Sequence, residues 1–233
     1  MEFPPAAQPQ VERRTSPEPG RVLLFAPHPD DETLGAGGTL HLHACQDDPV
    51  RVVVATDGIA GDPDGRFEPT TYGERRRRES LKAMEILEIH DLQFWGLPDS
   101  CVMTEQDLEG LAARVAAAVA EFEPDTVYLP WKLDGNPDHM ALHEGVVRGL
   151  SRSGFSGRAF GYEVWSPNPR PDLVVDITAV ADLKRKAVQH YVTQMAYGDL
   201  LHPMLGMNGY RSLLLERDKG YGEAFSRVEI ESG

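Results

Sequence analysis

Short, nearly unbroken apolar runs alternate along this chain with longer stretches whose apolar residues recur every three or four positions. Residues 22–26, 50–55, 92–95 and 126–130 make the short runs. Each is too short for a stable helix and is bounded by turn-forming residues, which predicts a strand. Between them, residues 33–45, 73–88 and 105–122 are long enough for helices and carry helical spacing. Strand–helix alternation builds βαβ units, so the expected fold is a Rossmann-like three-layer α/β sandwich, a mainly parallel sheet with helices on both faces. Farther along, the pattern predicts a helix from 138 to about 150, strands near 160–165 and 173–177, and helical segments over 180–190. No internal repeat or linker interrupts the pattern, so residues 21–233 are expected to form one domain. Residues 1–20, rich in Pro, Gln, Glu and Ser and without the apolar core of a signal peptide, are expected to be a disordered arm.

In such sheets ligands bind outside the carboxyl ends of the strands. Two loops leave those ends, residues 56–72 and 131–137, and the first is long and rich in Gly, Pro and Asp. A loop of that length is expected to serve as a lid or substrate rim.

Charge narrows the partners. Asp and Glu number 37 against 23 Lys and Arg, for a net charge of −14. That balance disfavours nucleic acid and anionic membrane surfaces and suits a neutral or weakly charged substrate. Cys45 and Cys101 form no metal-type spacing and are too few for a disulfide framework, which fits a reducing, cytoplasmic setting. No stretch approaches the roughly 20 apolar residues of a membrane span.

The stretch RVLLFAPHPDDETLGAGG raises the chemical question, because one histidine and three acids follow an apolar strand directly. Clustered like charges at the end of a buried strand need compensation. His28 and Asp31 are spaced to converge in one turn, and both are good ligands for a divalent cation, which typically takes three protein ligands plus water at a catalytic site. His139, in LDGNPDHMALHEG, offers the third from another strand end. His143, one helical turn later, shares its face and is the alternative. Two histidines and one aspartate suit zinc, and also Fe2+ or Co2+. Asp30, beside the ligands, is placed to take a proton from a metal-activated water. Glu32 either orients that turn or simply begins the helix. The competing reading is an acidic helix cap with no metal. Of the tryptophans, Trp131 and Trp165 sit near strand ends, where each is a candidate to stack on a ligand, although a tryptophan there is more often simply buried.

Here the sequence resembles a known family. APHPDDETLGAGGTL and NPDH resemble the two signature motifs of the PIG-L/LmbE-like zinc-dependent N-deacetylases. GERRRRESLKAMEIL resembles the family's Arg-Glu helix, FWGLPDS its next strand and Asp-bearing loop, and DLKRKAVQHYVTQ and GYGEAFSRV its C-terminal segments. The likeness covers nearly everything after Gly20. It implies a hydrolase that removes the acetyl group from an N-acetylglucosamine-type sugar or glycoconjugate, and it points to a homo-oligomer. Carried over by residue, it makes His28, Asp31 and His139 the zinc ligands, Asp30 the general base, and Arg78 and Asp99 the sugar contacts. One departure stands out: the family commonly has HPDH where this chain has Asn136. An amide can donate a hydrogen bond to an oxyanion but cannot deliver a proton near neutral pH. Asp30, once protonated, would then serve as the acid, and Asp138 loses the imidazole partner it has in the family pattern. Two rivals follow: an amidase of the same fold cleaving a larger acyl or thiol-conjugate amide, and a non-catalytic sugar- or metal-binding relative. Asn136 is the best support for the second rival and Asp30 the best objection to it.

Overall fold

A computed structural model describes residues 11–100, 103–215 and 219–230. Its strands are β1 (Glu12–Arg14), β2 (Val22–Ala26), β3 (Val50–Thr56), β4 (Asp91–Leu97), β5 (Thr126–Pro130), β6 (Arg158–Tyr162), β7 (Leu173–Asp176) and β8 (Gly222–Arg227). They join one sheet in the order β1-β7-β8-β6-β5-β2-β3-β4. Every pairing is parallel except those of β8 with β6 and β7. The helices are α1 (Asp31–Ala44), α2 (Pro69–Ile86), α3 (Glu105–Phe122), α4 (Pro137–Arg152), α5 (Ala181–Val188), α6 (Val192–Met195) and α7 (Leu201–Arg211).

β2 shows why its apolar run is unbroken. Val22, Leu24 and Ala26 face one core layer with Ala36, Leu40, Ala83 and Ala187. Leu23 and Phe25 face the other with Val115, Val119, Leu142 and Val146. A strand covered by helices on both faces has no solvated side on which to alternate. The glycines of α1 serve the same packing: a side chain at Gly35 would meet the Tyr162 ring at 2.2 Å.

From β2 the chain winds through α1 to β3 and through α2 to β4 on one side, then returns through α3 to β5 on the other. The order therefore reverses between β2 and β5, where carboxyl-end loops diverge and leave a crevice.

Some expectations shift. The arm is partly ordered, because Glu12–Arg14 pairs in parallel with β7; residues 1–10 lie outside the described residues. The helix expected over 73–88 starts at Pro69, where the Glu68 side chain caps Thr70 N. β8 and α7 are additions that apolar spacing alone did not predict. Cys101 lies outside the described residues, and Cys45 is a free, exposed thiol. Among the described residues, no helix is long and apolar enough to cross a membrane.

Candidate metal centre at the β2–β5 crevice

β2 runs into Pro27, whose carbonyl accepts the Thr56 amide and hydroxyl at 2.9 Å each. The turn that follows closes on His28 O, which accepts the Asp30 and Asp31 amides at 3.0 and 3.3 Å. Asp31 folds back over this turn: its Oδ2 accepts the His28 amide at 3.0 Å and lies 2.9 Å from His28 Nδ1. From the β5 side, Asn136 caps α4 by accepting the Asp138 amide at 2.8 Å, and Pro137 occupies the first helical position. That cap sets His139 in the first turn, with Nε2 3.1 Å from Asp31 Oδ2.

His28, Asp31 and His139 thus bring three ligand atoms within 4.8 Å of one another. His139 is fully buried, yet neither ring nitrogen has a hydrogen-bond partner. Its approach to Asp31 is close without hydrogen-bond geometry. An orphaned buried imidazole is costly, and a cation shared with His28 and Asp31 removes that cost. The donor set therefore fits a divalent metal. His143 does not join it; its Nδ1 pairs with Pro130 O at 2.8 Å.

On its other side, His28 Nε2 lies 3.1 Å from Asp99 Oδ1 and 3.3 Å from Asp138 Oδ2. Asp138 thus has an imidazole partner after all. Burial lowers the His28 pKa, but Asp138, Asp31 and Asp99 outweigh it and hold the ring well above its ordinary value.

Asp30 stands apart from the ligands. Its Oδ2 is 3.1 Å from Arg76 Nη2. Burial pushes its pKa up to about 7 against the opposing pull of Arg76, with Asp31 adding to the rise. Glu32 is fully buried and orients the turn: it accepts the Asp30 amide at 2.9 Å, the Tyr191 hydroxyl at 2.8 Å and the Ser80 hydroxyl.

Arg78 does not reach the crevice, contrary to expectation. Its side chain is 62% exposed and lies along α2 toward Glu74. Arg76, two residues earlier, is buried and donates to Gly58 O at 2.7 Å and Pro29 O at 3.1 Å. Two helical residues differ by about 200° in direction, so only one of the pair can face the sheet. Asp99 is at the crevice as expected, with Oδ2 accepting the Ala60 amide at 2.9 Å. Ala60 and Gly61 bring the loop over 56–72 to the rim of a pocket of about 180 Å3 that Asn136 and Trp165 also line. Trp131 is buried, whereas Trp165 is 62% exposed.

Asp134 carries a role that the sequence did not signal. Its Oδ2 accepts the Val164 and Trp165 amides at 3.2 and 2.9 Å. Its Oδ1 lies 3.5 Å from His139 Nδ1, the position from which a carboxylate orients a ligating imidazole. The same side chain holds the Trp165 segment.

A family model described as GlcNAc-PI de-N-acetylase matches residues 23–149. The chain is 32% identical over 183 residues to the probable N-acetyl-alpha-D-glucosaminyl L-malate deacetylase 2 of Bacillus subtilis (strain 168), covering 74% of this chain and 82% of that protein. It is 31% identical over 179 residues to the 1D-myo-inositol 2-acetamido-2-deoxy-alpha-D-glucopyranoside deacetylase of Kineococcus radiotolerans, covering 64% of this chain but only 49% of that longer protein. Among solved structures, a conserved protein of Thermus thermophilus superposes with a TM-score of 0.75 at 26% identity, covering 90% of this chain and 95% of the other.

Proposed function

The chain belongs to the PIG-L family of GlcNAc-PI de-N-acetylases, and from that membership we propose that it removes the acetyl group from an N-acetylglucosamine-type sugar or glycoconjugate, with zinc as its metal. It is an amide hydrolase, so it must activate water, stabilise a developing oxyanion and protonate an amine.

His28, Asp31 and His139 would hold the cation, which when bound polarises the amide carbonyl and lowers the pKa of water toward about 7. The chain's own residues supply the rest. Asp30 Oδ2 is committed to Arg76, which leaves Oδ1 to accept the proton of the attacking water. Burial raises the Asp30 carboxyl above the ordinary carboxylate range, which favours its holding the proton once taken. Having taken the proton as base, Asp30 returns it to the leaving nitrogen as acid, and acetate and a free amine result. Asn136 Oδ1 is committed to the α4 cap and the residue lines the pocket, so its amide nitrogen is the end left to hydrogen-bond the oxyanion. Asp99 Oδ2, beyond the Ala60 amide it accepts, keeps a lone pair for a sugar hydroxyl. Arg76 acts from behind, fixing Asp30 and the Gly58 carbonyl together.

The observation that carries this reading is the buried His139 imidazole, unpartnered at both nitrogens and grouped with His28 and Asp31. The test combines metal content by mass spectrometry with acetate release from N-acetylated sugars. Wild type should hold about one zinc per chain and release acetate. Asp31→Ala should lose both, whereas Asp30→Asn should keep the metal and lose about 10²- to 10⁴-fold in rate. No bound metal after incubation with zinc, or undiminished acetate release in Asp30→Asn, would refute it.

A further inference from the structure

A second, apolar cleft opens beside the polar pocket. Leu34 of α1, Val164, Trp165, Leu200, and Met204 and Met207 of α7 line about 180 Å3 of space, and none of the lining side chains is charged. In a chain of net charge −14, such a surface is conspicuous. Its floor is built: Leu34 and Met204 are buried and pack with Val188 in a small core of their own, against which Val164 and Leu200 rest. Its outer wall is Trp165, which also lines the polar pocket. The two spaces therefore share a single side chain. The Trp165 backbone is held by Asp134, the carboxylate that also approaches His139.

We infer that this cleft binds an apolar aglycone carried by the sugar, so that the preferred substrate is an N-acetylglucosamine glycoside with an alkyl or aryl group. The inference rests on the deacetylase reading of the neighbouring pocket. Direction argues for an aglycone over a long acyl chain. The reacting carbonyl must lie against His28, Asp31 and His139, which are 9%, 2% and 0% exposed, so an acyl chain starts at the buried end. Trp165, at 62% exposed, stands at the solvent end. A group that passes over it leaves from the sugar side. Size agrees, since a cavity of roughly 150 Å3 accommodates a benzene ring.

The test uses two substrate series with zinc-loaded enzyme: methyl, butyl and hexyl glycosides of N-acetylglucosamine, and glucosamine bearing N-acetyl, N-butanoyl and N-hexanoyl groups. Each methylene buried in the cleft should raise kcat/KM about two- to fourfold, through KM. Met207→Asp, outside the polar pocket, should abolish the climb and leave methyl glycoside turnover unchanged. A flat glycoside series, a climb in the acyl series alone, or a climb that survives Met207→Asp overturns the inference. A binding experiment separates this from failure of the deacetylase reading. Hexyl glucoside, which has no amide, should quench tryptophan fluorescence saturably in wild type but not in Trp165→Phe, and methyl glucoside should bind at least about tenfold more weakly. That outcome supports the cleft even if no acetate is released from any substrate. Absence of hexyl glucoside binding, or a dimer by light scattering that Met207→Asp dissociates, assigns the cleft no aglycone.

Discussion

Replacing Lys184 by Met tests how the metal-bearing end of α1 is held. Lys184 on α5 and Glu223 on β8 form a fully buried pair at 2.7 Å. Glu223 also accepts the Gly38 and Thr39 amides at 2.8 and 2.7 Å, and Lys184 Nζ donates to Leu34 O at 2.8 Å and Asn208 Oδ1 at 3.1 Å. Leu34 O and Gly38 N are the two ends of one rung in a regular helix, so the pair reaches into α1 one turn beyond Asp31. Lys184→Met keeps the volume and strands a buried carboxylate, at a cost of about 3–5 kcal/mol. For a chain of this size that lowers Tm by about 6–20 °C. Urea unfolding followed by far-UV circular dichroism reads it directly. Adding Glu223→Gln removes the stranded charge and should restore at least about 1 kcal/mol. A single variant within about 0.5 kcal/mol of wild type, or a double variant no better than the single, would refute the argument.

Four further outcomes concern the site. Arg78→Ala should leave stability within about 0.5 kcal/mol and acetate release unchanged, whereas Arg76→Ala, which strips buried Asp30 of its partner, should cost about 3 kcal/mol or more by urea unfolding and lower kcat. Asp134→Asn should weaken zinc binding about 10- to 100-fold in competition with a chromogenic chelator. Asn136→Asp keeps the α4 cap but replaces the oxyanion donor with a charge, so Tm should hold while kcat falls about 10²-fold or more; unchanged kcat would remove Asn136 from the chemistry.

What the sequence made legible was whatever is local. β2, β5 and α3 have the bounds their apolar periods predict, because each is covered over its full length by the layer the period implies. His28 and Asp31 converge within one turn and His139 sits in the first turn of a proline-started helix, so short spacings locate all three. β1 escaped because Glu-Arg-Arg has no apolar pattern and pairs with β7, some 160 residues away in sequence, at a sheet edge where charge is suitable. Asp134 escaped because its partners, Val164 and Trp165, lie on another strand's loop. Arg76 is the instructive case. Within a run of four arginines composition says nothing, but the helix phase does: Tyr72, Arg76, Glu79, Ser80 and Ala83 are buried together on α2 at spacings of three and four. Extending the period of Ala83 back toward Tyr72 selects Arg76 and turns Arg78 outward. A motif says which residue types to look for, and only the helix phase says which copy faces the chemistry.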